Sequence, residues 1–216
     1  MMQIEENGHQ MGFLRKFMME NAGAAAAKRI EEKYAPVWFL DTDYKKILVF
    51  AGLGNNGGDG LVIARHLAGY GANVTVFLLG KPDNIRSEEC SWNWSLLEKM
   101  KSVKLLTVGN LEDLNNLKFK IIIDGILGTG ISGEIREPHA SAIEFINGKV
   151  WGGVVSVDVP SGLNPDTGEA NKRCVNANMT VTFHRMKVGM QKRTDVCGEI
   201  FVEKIGIPLE AEIGVL

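Results

Sequence analysis

Short apolar runs and longer amphipathic stretches alternate along the chain. Ile47-Leu48-Val49-Phe50 lies in a strand predicted over 46–51. Further strands are predicted over 73–79 (NVTVFLL), 103–108 (VKLLTV), 119–125 (FKIIIDG), 153–160 (GVVSVDVP), 179–183 (MTVTF) and 198–205 (GEIFVEKI). The run over 119–125 is apolar at successive positions rather than alternate ones, the mark of a strand covered on both faces. Residues 58–70, 85–101 and 137–147 read as helices between the strands. Before the first strand, Phe13, Leu14, Phe17, Met18 and Ala22 recur at helical spacing within an alanine-rich segment, so 11–33 reads as one or two helices. Strands that alternate with helices imply right-handed crossovers and a mainly parallel sheet between helical layers. The last two strands lack a helical pattern between them, so an antiparallel edge pair is expected there.

No linker, repeat or low-complexity segment divides the 216 residues. They are read as one domain over 1–216, with an N-terminal helical segment 1–35 and an ample core. There are 24 Lys+Arg against 26 Asp+Glu, for a net charge of −2. This disfavours nucleic acid as a partner, because phosphate neutralisation needs a basic surface. No apolar run approaches the roughly 18 residues of a membrane span. Glu5, Glu6, Arg15 and Lys16 stand where a signal peptide would be apolar. Cys90, Cys174 and Cys197 are scattered, without C-x-x-C. They are expected to be buried small side chains in a reducing cytoplasm. His9, His66, His139 and His184 form no metal-ligand spacing and are assigned structural or surface roles.

Three unusual turns change the picture. Each directly follows an apolar strand: GNNGGDG at 54–60, DGILGTGISGE at 124–134 and DVPSGLNPDTG at 158–168. In a parallel sheet the carboxyl ends of all strands lie along one edge, and ligands bind there at the switch point of strand order. Polar residues far apart in sequence can therefore converge. Glycines in such turns also serve plain packing, and Asp59 could act only as an N-cap for the following helix.

Gly52, Gly54 and Gly57 match the dinucleotide fingerprint G-x-G-x-x-G, yet the acid that normally closes the second strand is missing from Phe77-Leu78-Leu79-Gly80-Lys81. A hydride-transferring dehydrogenase is disfavoured. No Gly-Lys-Ser/Thr follows, so this is not a Walker loop either. Asn56, Asp124 and Ser161 each offer an oxygen at a different strand end. Oxygen-only ligands exclude zinc and soft metals, and a mostly neutral donor set suits a large monovalent cation better than magnesium. Backbone N–H groups of Gly57-Gly58 and Thr129–Gly133 could cradle phosphate beside it.

With these motifs, and with VTFHRMKVGM at 181–190, the chain resembles the YjeF N-terminal domain family, the NAD(P)H-hydrate epimerases. The resemblance runs from MMENAG at 18–23 to GEIFVEKIGIP at 198–208, with Met186 where the family usually has Pro before the lysine. It implies a three-layer α/β/α Rossmann-like sandwich, usually a homodimer. It implies as substrate the C6-hydrates of NADH and NADPH (NADHX and NADPHX), with R and S epimers interconverted and one potassium ion bound per subunit. Substrate-binding positions carried over are Asn55, Asn56, Gly57, Gly58, Asp59, Gly128, Thr129, Gly130, Ile131, Ser132, Gly133, Glu134 and Asp158. Potassium positions are Asn56, Asp124 and Ser161. An ATP- or ADP-dependent hydrate dehydratase is the expected functional partner, fused in longer relatives.

In the hydrate, the ring nitrogen can expel the C6 hydroxyl, and water can return to either face. A carboxylate can protonate the leaving hydroxide, stabilise the cation and deprotonate incoming water. Asp158, which closes an apolar strand, is the first catalytic candidate. Lys187 is the second, as phosphate ligand or proton donor, although Arg185, Lys187, Lys192 and Arg193 read more simply as a solvated basic face. Glu20-Asn21 is expected to hydrogen-bond locally. Trp92 and Trp94 lie two apart and cannot share a helix face, so one belongs to the core and the other to the surface. The alternative to an enzyme is a non-catalytic scaffold module on the same fold. The presence of Asn56, Asp59, Asp124, Asp158 and Ser161 together favours the enzyme.

Overall fold

A computed structural model of the chain describes residues 1–38, 40–108, 114, 117–130 and 133–215. The strands are β1 (Lys46–Ala51), β2 (Asn73–Leu78), β3 (Val103–Leu106), β4 (Ile121–Gly125), β5 (Gly153–Val157), β6 (Met179–Phe183) and β7 (Glu199–Glu203). The helices are α1 (Met2–Gln10), α2 (Arg15–Trp38), α3 (Asn55–Gly69), α4 (Glu88–Leu97), α5 (His139–Asn147) and the short α6 (Thr194–Cys197). The strands form a single sheet in the order β3-β2-β1-β4-β5-β6-β7, and every neighbouring pair is parallel.

The period of two along each strand sorts the core into two layers. Ile47, Val49 and Ala51 of β1 point to the side carrying α2, α3 and α4, where they meet Ala26, Ile30, Leu61 and Trp94. Leu48 and Phe50 point to the opposite side, where they meet Ile122, Ile143 and Ile146 under α5. This two-sided burial explains why these strands read as continuous apolar runs. Trp94 is buried and Trp92 is exposed, as their spacing requires.

Two expectations are corrected. β6 and β7 are parallel, with Met179 opposite Glu199 and Phe183 opposite Glu203. A parallel return needs only a crossover of about a dozen residues or more, and 184–198 supplies it through a 3-10 turn at Val188–Met190 and the four-residue α6. The second correction concerns α3, which begins at Asn55 rather than near 58. Most of the glycine-rich stretch is helix, against its local propensity. Gly54 in an extended conformation is the N-cap, so Asp59 sits beyond the first turn and is not the cap. Residues 2–10, within the N-terminal helical segment read over 1–35, form α1.

Candidate functional site

The strand order reverses between β1 and β4, and the tips of β1, β4 and β5 are adjacent there. Ala51 pairs with Gly125, and Asp124 pairs with Ser156. Gly52 N–H donates to Gly125 O at 2.9 Å. The first turn of α3 presses onto this edge so closely that a Cβ on Gly57 would lie 1.9 Å from Gly52 O. Glycine at 57 is therefore a requirement of backbone contact. The first residues of α3 border a cavity of about 700 Å³ above the strand tips.

The cavity is lined by Gly54, Asn55, Asn56 and Asp59 of the first motif, by Gly128, Thr129, Gly130 and Glu134 of the second, and by Asp158 of the third. Gly57 and Gly58 are buried behind them. Gly133 is exposed with φ +85°. Ile131 and Ser132 lie outside the described residues.

Asp124 and Ser161 meet directly, and Asn56 joins them through Leu127. Asp124, fully buried, accepts from Ser161 Oγ at 2.5 Å through Oδ1, and from Ser156 Oγ at 2.8 Å and Ser161 N at 2.9 Å through Oδ2. Leu127 N donates to Ser161 Oγ at 2.9 Å, and Asn56 Nδ2 donates to Leu127 O at 3.0 Å. Among the described residues, no cationic side chain pairs with Asp124, and nothing donates to Asn56 Oδ1. Burial raises the Asp124 carboxyl, against the hydrogen bonds from Ser161 and Ser156. A buried carboxylate, an amide oxygen, a hydroxyl and nearby carbonyls fit a monovalent cation by charge and hardness. No group of three or more His, Cys, Asp or Glu among the described residues offers a softer metal site.

Beside this trio, Asp158 adopts φ +63°, a left-handed conformation rare outside glycine. The turn directs its carboxylate to the tip of β6. Oδ1 accepts from Thr182 Oγ1 at 3.1 Å and from Phe183 N at 3.2 Å, and the Lys187 ammonium also donates to it. Lys187 Nζ further donates to Thr182 Oγ1 at 2.9 Å and to Phe183 O at 3.2 Å. Lys187 is only 7% exposed, which corrects the solvated basic face. The cluster disperses: Arg185 pairs with Glu212, and Arg193 pairs with Asp195 and reaches Gly168 O. The 184–198 crossover bends Lys187 back under β6, a path that its local sequence does not show.

Asp59 carries no hydrogen bond among the described residues, and its carboxyl lies well above the usual range. Burial is the main cause, reinforced by Asp158 and Glu5 and opposed by Lys187. Other residues missed in the sequence line the same cavity: Glu5, Arg15, Arg86, Arg136 and His139. Hydropathy gives no sign of Glu5. It reaches the cavity because α1 is clamped by the C-terminal segment. Asn7 Nδ2 donates to Ala211 O at 2.8 Å, and Gly8 packs near Ile207 and Ala211. Asn21 Nδ2 donates to Ile205 O at 2.8 Å, and Glu20 pairs with Arg65 and His66 of α3, so neither bonds locally. The clamp is anchored by Glu212, which accepts from buried His184 Nε2 at 2.7 Å and from Arg185 Nε at 2.9 Å. All three cysteines are buried and free, as expected.

The family model described as YjeF-related protein N-terminus matches residues 15–189. An NAD(P)H-hydrate epimerase of Nitrosopumilus maritimus is 62% identical over all of this chain and 97% of its own. The bifunctional NAD(P)H-hydrate repair enzyme Nnr of Methanothermobacter thermautotrophicus is 44% identical over 96% of this chain but only 39% of its own length. The crystal structure of yeast ynu0 superposes with a TM-score of 0.71 at 33% identity, covering 82% of this chain and 74% of that one.

Proposed function

Because the chain belongs to the YjeF-related N-terminal family, we propose that it is an NAD(P)H-hydrate epimerase, an isomerase that interconverts the R and S C6-hydrates of NADH and NADPH. The observation that carries this reading is the meeting of three strand tips at one cavity lined by Asn56 and Asp158, where Asn56 is joined through Leu127 to the buried oxygens of Asp124 and Ser161 and Asp158 is paired with Lys187.

Asn55, Asn56 and Asp59 at the start of α3, with the loop at Gly128–Gly130 and Glu134, bind the nucleotide. The free N–H groups at the helix start meet its phosphates. Asp158 faces the hydrated ring. As the ring nitrogen's lone pair forms the C6=N1 bond, the C6–O bond breaks, and a carboxylate beside the ring stabilises the cation that results. Lys187 holds Asp158 in place through their ion pair. A potassium ion held by Asn56 Oδ1, Asp124 and Ser161 would supply a fixed positive charge close to an anionic substrate group. The longer repair enzymes support a hydrate dehydratase as functional partner, one that consumes a single epimer. Exposed Met11 and Leu14 in the α1–α2 turn, with Phe17 at the start of α2, support a homodimer. No helix among the described residues is long and apolar enough to cross a membrane.

The test is to mix the purified chain with each resolved hydrate epimer, with and without potassium, and follow interconversion by chromatography. Exchange faster than the spontaneous rate supports the reading. Exchange at the spontaneous rate under both conditions overturns it.

A further inference from the structure

Inversion at C6 sets a geometric demand. The hydroxyl leaves from one face of the ring and water returns to the other, so a carboxylate fixed on one face leaves the other face without an acid-base group. Asp158 and Asp59 approach from the strand-tip edge, at the end of β5 and the start of α3. A third carboxylate enters the same cavity from a separate element: Glu5 on α1. It is half-buried. Among the described residues it makes no hydrogen bond or ion pair, and its neighbour Arg15 pairs with Glu6 instead. A partly buried acid with no structural partner, aimed into a substrate-sized cavity, has no evident role in holding the fold.

We propose that Glu5 is a second acid-base residue of the epimerisation, working on the ring face that Asp158 does not reach; this rests on the epimerase reading. The Glu5 carboxyl gives its proton to the departing hydroxyl, which leaves as water while the N1 lone pair forms the C6=N1 bond. A water molecule then adds to C6 from the other face. The C6–O bond forms, the π electrons return to N1, and the water proton passes to Asp158. In the opposite direction the two residues exchange roles, and between turnovers their protons equilibrate with solvent. No oxidant or other co-reactant is consumed.

The electrostatics suit an acid that holds its proton. Burial and the nearby Asp158 charge raise the Glu5 carboxyl, while Lys187, the N-terminal amine and Arg15 oppose this. Asp59 faces it as well.

The experiment compares Glu5→Gln and Glu5→Asp in the full chain, measuring kcat and KM for exchange of each epimer across pH. Glu5→Gln is expected to lower kcat by about 10- to 100-fold, within the range of general acid catalysis, with KM changed less than twofold. The alkaline limb of the kcat profile, set by loss of the acid's proton, should shift or disappear. Glu5→Asp should recover part of the rate. Wild-type kcat and pH profile in Glu5→Gln, a loss confined to KM, or Glu5→Asp no better than Glu5→Gln would each overturn the assignment. So would a rate loss that merely follows a lowered unfolding midpoint with the limb unmoved. If the wild-type chain itself fails to exchange the epimers, the epimerase reading falls, and Glu5 falls with it; an active wild type with an unaffected variant removes Glu5 alone.

Discussion

Lys187 and Asp158 form an ion pair at the end of the sheet, with side chains only 6% and 16% exposed. The lysine comes from the β6–β7 crossover and the aspartate from the tip of β5. The pair therefore ties the parallel edge of the sheet to the floor of the cavity. Its ammonium also offsets the charge of three carboxylates, Asp158, Asp59 and Glu5, gathered around one space.

Asp158→Asn keeps an oxygen acceptor for Lys187, Thr182 and Phe183 but removes the negative charge. Epimer exchange should fall by about 10²- to 10⁴-fold; circular dichroism should still show the native fold, while the unfolding midpoint falls because Lys187 stays buried without its charged partner. Exchange at the wild-type rate would take Asp158 out of the chemistry.

Lys187→Met removes the cation and leaves Asp158 buried without its partner. Breaking one side of a buried pair costs about 3–5 kcal/mol. Urea denaturation at neutral pH should show a loss of that order. A loss under 1 kcal/mol would mean that water already screens the pair.

Gly57→Ala tests the contact between α3 and the β1 tip. Helix propensity alone would make this change stabilising by about 1 kcal/mol. A Cβ 1.9 Å from Gly52 O reverses the sign, because the helix start must move, with an overpacking cost of about 1–3 kcal/mol or more. Gly54→Ala meets nothing within 4 Å and should cost only about 0.5–1 kcal/mol, for the loss of a favoured N-cap residue. Equal stabilities for the two variants would contradict the packing.

Asp124→Asn should abolish the effect of potassium. The wild-type unfolding midpoint is expected to rise with potassium over an equal concentration of a bulky organic cation, by ligand linkage. The variant should show no difference between the two salts. A wild-type midpoint indifferent to the cation would count against the trio as an ion site.

Glu212 predicts a signature in acid. Hydrogen bonding to Arg185 is the main cause that holds its carboxyl down, to about 2, and the bond from His184 assists against a smaller burial effect. A depressed folded value gives stabilisation that is complete above the unfolded value, roughly 4.3, and that vanishes as pH falls through about 2. Wild type should therefore lose stability across that window more steeply than Glu212→Gln, measured as midpoints against pH. Parallel curves would show that the C-terminal clamp is not linked to this proton.

Local chemistry determined much of the protein. Apolar runs such as Ile121-Ile122-Ile123 can satisfy burial on both faces only inside a parallel sheet, and glycine, asparagine and aspartate collect where strands end because ligand-facing turns need their freedom and their oxygens. From these the parallel sheet and the strand-tip edge that carries the three polar turns followed. Tertiary structure decided the rest. Propensity placed the start of α3 near 58, but the helix begins at Asn55, with Gly57 pressed against Gly52. Lys187 looked solvated until the crossover folded it beneath Asp158. Glu5 carried no signal at all, because its place depends on a clamp between the two ends of the chain, and periodicity reports only which face of an element is apolar, never which distant element will cover it.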